Sequence, residues 1–326
     1  MSTLQVAGRK SLMLFSGRAH PELADEIAEH IGVTITETTA RDFANGETFI
    51  KSNESVRGSD AFVIQSFTTP INQWVMESLI LVDSLKRASA KRITVVAPFY
   101  PYARQDKKHK GREPISARLI ADLFKTAGAD RLMAVDLHTA QIMGFFDGPV
   151  DHMFALTLLA GYVKQKYGSQ DLVVVSPDTG RVRMAEQWAD ELGGCEIAFV
   201  HKTRNVDAAN EMVANRVVGE VEGRCCLLID DMIDTGGSIS KAADLLFADG
   251  ATDVVVAATH GVFSSPATDL LKNSRIREVI VTNTLPIGPD QAFDKLTVLS
   301  IAPLLAQAIK AVFEDGSVTS LFAGRS

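Results

Sequence analysis

The run Leu227–Ser238, LLIDDMIDTGGS, joins an apolar stretch to two adjacent acids and a glycine pair flanked by hydroxyls. Gly236 and Gly237 lack a Cβ, so the backbone there can turn tightly and bring its N–H groups close to a ligand. A helix beginning at this point adds unsatisfied N–H donors and a positive dipole end, while Thr235 and Ser238 supply hydroxyls. The combination suits a monophosphate. Asp230 and Asp231, expected at the C-terminal edge of the strand, sit where the vicinal hydroxyls of a sugar or a bound Mg²⁺ would lie, and Asp234 opens the loop. Neither a Walker loop nor a dinucleotide glycine loop has this spacing.

A second set of residues offers positive charge. The chain of 326 residues carries 33 Lys and Arg against 40 Asp and Glu, a formal charge of −7. That balance excludes a generally basic nucleic-acid binder, so a polyanionic substrate must be met by local clusters of cations. Arg104, Lys107, Lys108, Lys110 and Arg112 form one such basic loop. Lys202 and Arg204 follow the strand-like run Glu196–Val200 and are expected on a polar loop able to close over reacting phosphates. Phosphoryl-type transfer needs cations on the moving group more than covalent chemistry. Taken alone, such loops are usually solvated surface.

These residues must be held by a scaffold, and the apolar pattern shows which one. Near-continuous Val, Ile, Leu and Ala runs fall at Ala61–Gln65, Ile93–Pro98, Leu132–Asp136, Leu172–Ser176, Cys225–Ile229, Val254–Ala258 and Val279–Thr282. Amphipathic stretches lie between them, such as Ile71–Ala88 with a stripe of Ile71, Val75, Leu79, Val82 and Leu85. Alternation of this kind predicts an α/β fold with parallel sheets covered by helices on both faces. Ala121–His138 also aligns without gaps onto Ala243–His260, with six identities, among them Gly128/Gly250 and His138/His260. The repeat predicts two duplicated domains, residues 1–155 and 156–326. The three cysteines, Cys195, Cys225 and Cys226, make neither a zinc spacing nor a disulfide framework. With no signal peptide and no apolar run near the ~18 residues of a membrane span, a cytoplasmic protein is expected.

The glycine loop resembles the phosphoribosyl pyrophosphate loop of type I phosphoribosyltransferases. Six further segments narrow the resemblance: FANGE (Phe43–Glu47), SLKRASAKRI (Ser84–Ile93), APFYPYARQDKK (Ala97–Lys108), GREPISARL (Gly111–Leu119), DLHTAQIMGFF (Asp136–Phe146) and SPDTGRVRMA (Ser176–Ala185). Together they resemble the class I ribose-phosphate pyrophosphokinase family from about residue 10 to the C-terminus. The resemblance implies two phosphoribosyltransferase-like domains and transfer of the β,γ-pyrophosphoryl group of ATP to the 1-hydroxyl of ribose 5-phosphate, with Mg²⁺ as cofactor. It implies ATP contacts at Asn45, Gly46, Glu47, Arg104 and Gln105, and metal contacts at His138 and Asp178. Ribose 5-phosphate would be held by Asp230, Asp231 and Asp234 through Ser238 with Arg204, and Lys202 and Arg204 would be catalytic. Mg²⁺ prefers oxygen ligands, so a hydrogen bond from His138 to a phosphate, or contact through metal-bound water, fits its chemistry as well as direct ligation.

The same resemblance implies a homohexamer, activated by phosphate and inhibited by ADP at a site drawing on Ser55, Arg57, Ser89, Ser317 and Thr319. One departure stands out: the family often carries a second glycine after Gly180, where this chain has Arg181. Two other readings remain. A phosphoribosyltransferase for a nucleobase would need a base-recognising hood and no ATP site. A non-catalytic regulatory paralogue would be expected to lose loop cations or the phosphate loop, and Lys202, Arg204, Asp178 and the loop are all present. No nucleic-acid or membrane partner is expected.

Overall fold

The computed structural model describes residues 10–108, 110–203 and 214–322. The chain divides into two compact units, Met1–Met153 with Ala302–Ser326, and Phe154–Ile301. In the first, β1 (Leu12–Ser16) and α1 (Pro21–Ile31) precede a hairpin of β2 (Thr38–Asp42) and β3 (Thr48–Ser52). Next come β4 (Asp60–Ile64), α2 (Ile71–Arg87), β5 (Arg92–Ala97), α3 (Ser116–Ala127), β6 (Arg131–Val135) and β7 (Val150–Met153). The sheet order is β1-β4-β5-β6-β7, and every pairing is parallel.

In the second unit, α4 (Leu156–Tyr167), β8 (Leu172–Ser176), α5 (Val182–Glu191), β9 (Glu196–Thr203) and β10 (Ala214–Val218) lead into β11 (Cys225–Ile233). Then follow α6 (Gly237–Ala248), β12 (Asp253–Gly261), α7 (Ala267–Asn273), β13 (Glu278–Thr282) and β14 (Leu296–Leu299). Its order is β10-β9-β8-β11-β12-β13-β14, with only the β9–β10 pair antiparallel. The strands read as apolar runs because β4, β8 and β13 are buried at every residue, as parallel sheets covered on both faces require. The repeated segments fold alike: α3 leads into β6 as α6 leads into β12, and Gly128 and Gly250 both follow their helix with positive φ, 123° and 89°.

Three expectations are corrected. The last helix, α8 (Ala302–Phe313), packs on α1 and clusters with the first unit, although the sequence division places it with the second half. An amphipathic stripe shows that a helix has a face to bury, not which partner covers it. On α2, Ile71 and Leu79 are only half-buried, and the buried face carries Val75, Ser78, Leu81, Val82, Leu85 and Glu77. Glu77 is tolerated inside because the Arg18 Nε donates to it at 2.6 Å and the Arg18 backbone N–H at 2.8 Å. Lastly, β9 runs through Lys202, which lies opposite Asn215 of β10 rather than on a loop. Antiparallel pairing with β10 extends the strand beyond its apolar part.

Two other features of the second unit are structural. Cys225 and Cys226 are buried in β11, and burial pushes their thiols up to about 11 and about 12, so both stay protonated near neutral pH. Tyr162, Lys166 and Tyr167 of α4 converge on Glu278 of β13, joined by Thr297. Burial alone would raise this carboxyl. The hydrogen bonds from Thr297, Tyr167, Lys166 and Tyr162 outweigh it and hold Glu278 at about 2.

Candidate functional site

In the second unit the chain leaves β8 toward β9 on one side, whereas β11, β12 and β13 build outward on the other. The junction of β8 and β11 is therefore a topological switch point, where ligands bind outside the carboxyl ends of the strands. The β8–β11 ladder stops at Val175 opposite Leu228, while β11 continues beside β12 as far as Ile233 opposite Gly261. Asp230 and Asp231 thus lie within the strand rather than at its end. They fall past the point where β8 stops pairing.

The loop after β11 has the shape the glycine pair suggested. Gly236 adopts φ +73° and caps α6, which starts at Gly237. A Cβ on Gly236 would lie 3.3 Å from the Ala267 Cα, so a side chain there is opposed both by φ and by space. Thr235 and Ser238 are exposed, Asp234 is half-buried, and the first N–H groups of α6 open toward the same loop.

The turn after β8 faces these acids. Ser176 Oγ donates to the Asp178 carbonyl at 2.6 Å, and the Gly180 N–H donates to Asp178 Oδ1 at 2.8 Å, so Asp178 caps the turn. From its far end Arg181 reaches to the neighbouring strand, placing Nη2 2.8 Å from Asp231 Oδ1 and Nε 3.6 Å from Asp230 Oδ1. Burial pushes the Asp230 carboxyl well above the usual carboxylate range. Its hydrogen bond to Asp231 and the charge of Asp231 add to that, and Arg181 offsets part of it. Of the two cations expected to be catalytic, Lys202 is on β9 and Arg204 lies outside the described residues.

In the first unit the remaining candidates fall on several separate segments. Asn45, Gly46 and Glu47 form the exposed tip of the β2–β3 hairpin, where Gly46 takes φ +88° and Asn45 Oδ1 accepts the Glu47 N–H at 3.2 Å. Arg104 and Gln105 are exposed on the loop after β5. That loop is fastened at two adjacent residues. Gln105 Oε1 accepts the Ser116 hydroxyl at 2.6 Å, and buried Asp106 accepts the Thr139 hydroxyl at 2.7 Å and the Gln141 amide at 2.6 Å. Asp106 therefore ties the Arg104–Gln105 segment to the chain immediately after His138, a function its position in a basic run does not reveal. His138 is half-buried, and the N–H of Leu137 before it donates to His152 Nε2 at 2.9 Å. Its repeat counterpart His260 is buried, with Nδ1 2.8 Å from the Thr284 hydroxyl. Among the described residues, no group of three or more His, Cys, Asp or Glu side chains is arranged to hold a metal.

The other candidates are partly drawn together. Ser55, Arg57 and Ser89 are exposed, and the Gly58 N–H donates to the Ser89 carbonyl at 2.9 Å, which brings the two segments together. Arg92, beside them through its N–H to the Ser59 carbonyl, pairs with Asp60 and with Asp315 on the chain leading to exposed Ser317 and Thr319.

The chain is similar along almost its whole length to known proteins. Residues 12–128 match the N-terminal domain of ribose phosphate pyrophosphokinase, and residues 200–323 match the phosphoribosyl synthetase-associated domain. A ribose-phosphate pyrophosphokinase of Mycobacterium leprae is 65% identical over 318 residues, covering 98% of this chain and 97% of the relative. The chain belongs to the ribose-phosphate pyrophosphokinase family. The Streptomyces coelicolor ribose-phosphate pyrophosphokinase is 63% identical over 322 residues, 99% of each chain. The fold follows as well: a crystal structure of phosphoribosylpyrophosphate synthetase from Mycobacterium smegmatis superposes with a TM-score of 0.90 at 65% identity, covering 94% of this chain and all (100%) of that one. The family uses ATP and ribose 5-phosphate.

Proposed function

We propose that this chain transfers the β,γ-pyrophosphoryl group of ATP to the 1-hydroxyl of ribose 5-phosphate, giving 5-phosphoribosyl 1-pyrophosphate and AMP for nucleotide biosynthesis. The observation that carries the proposal is 65% identity to a ribose-phosphate pyrophosphokinase across 98% of the chain. It disfavours both a nucleobase phosphoribosyltransferase and a non-catalytic paralogue.

In the reaction, the sugar O1 forms a bond to the β-phosphorus, the bond from that phosphorus to the α-phosphate bridging oxygen breaks, and AMP departs. The hydroxyl proton passes to solvent. The α6 N-terminus with Thr235, Gly236, Gly237 and Ser238 would receive the 5-phosphate, and Asp230 and Asp231 the sugar hydroxyls. Asn45–Glu47, Arg104 and Gln105 would hold ATP. Lys202 and Arg204 would neutralise charge developing on the transferred group. Mg²⁺ fits these donors, because it keeps waters and substrate phosphates beside one or two carboxylates rather than needing a cage of its own. Asp178 presents a half-buried carboxylate at the switch point, and His138 would meet a phosphate or metal-bound water. Bound with ATP, the ion supplies neutralisation of the phosphate charge.

No helix among the described residues is long and apolar enough to cross a membrane. The proposal places the enzyme in the cytoplasm as a homohexamer, activated by phosphate and inhibited by ADP through Ser55, Arg57, Ser89, Ser317 and Thr319. The chemistry is tested with ATP labelled at the β-phosphorus. Label should appear in the sugar product and not in AMP. Label recovered in ADP would mean an ordinary kinase.

A further inference from the structure

We propose that Arg181 is a positioning residue for the sugar: it holds the inner acid, Asp231, in place, so that the outer acid, Asp230, is left at a fixed spot for the ribose hydroxyls. The proposal rests on the reading of Asp230 and Asp231 as sugar ligands given above. The two acids are adjacent, and the Asp231 N–H donates to Asp230 Oδ1 at 2.8 Å. Their side chains are only 3% and 19% exposed. Two acids this close in a buried setting repel each other, so their side chains need a fixed partner to hold one arrangement.

Arg181 supplies that partner from the adjacent turn. Its guanidinium is always charged, and its fork spans two acceptors that a point charge would serve one at a time. The contacts are unequal in an informative way. The 2.8 Å bond goes to Asp231, the deeper acid, while Asp230 is approached only at 3.6 Å and is the more exposed of the two. Arg181 thus fixes the inner carboxylate and leaves the outer one to a ligand. Had the guanidinium been a plug over the sugar position, the closer contact would be expected on the outer acid.

The test uses Arg181→Ala and Arg181→Lys, with kcat and both KM values measured at saturating co-substrate and thermal melts recorded alongside. For Arg181→Ala the ribose 5-phosphate KM should rise about 10–100-fold, the scale of a lost charged hydrogen bond, while the ATP KM stays within about 2-fold. Arg181→Lys should recover part of the sugar affinity, since the charge returns without the fork. If Arg181→Ala does not fold, Arg181→Gln carries the same expectation, because it keeps a donor and loses the charge. An unchanged sugar KM overturns the proposal, and a lowered one shows Arg181 to be a competitor of the sugar. Equal rises in both KM values, with Lys no better than Ala, would reduce Arg181 to a structural ion pair. Calorimetric titration of the same proteins with ribose 5-phosphate separates this idea from the reading it rests on. Wild-type protein that binds the sugar but forms no product removes the activity and leaves the affinity ratio to decide Arg181; wild-type protein that does not bind it sinks both.

Discussion

Gly236→Ala places a methyl group at the residue of the phosphate loop with φ +73°. A left-handed conformation costs an L-residue about 1–2 kcal/mol. The new Cβ would also sit 3.3 Å from the Ala267 Cα and 3.5 Å from its Cβ, so the start of α7 must give by a few tenths of an ångström. Overpacking of that size adds about 1 kcal/mol, for a total near 2–3 kcal/mol. At about 2–4 °C per kcal/mol for a unit of this size, the melting transition should fall by roughly 5–10 °C. If the loop relaxes instead by changing φ, its N–H groups turn away from the phosphate position and ribose 5-phosphate affinity should fall about 10-fold or more. Gly237→Ala is the control. Its added Cβ meets only Thr235 Oγ1, at 4.0 Å, and alanine favours the helix by about 1 kcal/mol, so its melt should hold or rise slightly. Scanning calorimetry and sugar titration on both variants decide the matter. Equal melting shifts for the two, or a wild-type melt and affinity for Gly236→Ala, would refute the reasoning.

Lys202→Ala should lower kcat by about 100-fold or more, the scale of a lost transition-state cation, with substrate KM values changing far less; wild-type turnover would remove Lys202 from the mechanism. Arg57→Ala should weaken phosphate activation and ADP inhibition together, because one anion site binding two ligands couples both effects. Loss of activation with ADP inhibition intact, beyond its competition with ATP, would separate the sites. Glu278 has its folded-state carboxyl depressed from 4.5 to about 2, so its stabilisation is present above pH 4.5 and is lost as pH falls from there toward 2. Glu278→Gln should therefore melt lower than wild type at neutral pH and show a shallower fall in melting temperature through that acid window. Parallel pH slopes for the two proteins would dismiss the linkage.

Much of this protein was legible along the chain because the signals are local. The buried strands announce themselves as apolar runs, since each is covered on both faces and needs no alternation. The glycine loop announces itself because a positive φ at Gly236 and a close backbone approach each restrict a position to glycine. Family membership was carried in the same contiguous way, by short segments in a fixed order. The interior places of Cys225 and Cys226 also followed from their strand.

What the sequence by itself left open are the pairings between segments far apart in the chain. Arg181 and Asp231 are 50 residues apart, Arg18 and Glu77 59, and Tyr162 and Glu278 116. Each pairing depends on which strands are neighbours. Arg181 meets the two acids only because β8 and β11 adjoin at the switch point and β8 stops pairing first. Glu77 breaks the apolar stripe of α2 only because Arg18, after β1, arrives to neutralise it. Lys202 looked like a loop residue until β10 paired with it, and α8 looked like part of the second half until α1 covered its face. Periodicity and residue type state what a segment needs to bury or to neutralise. Only the tertiary fold decides which distant group meets that need, because strand order and helix partners are settled by the whole core at once.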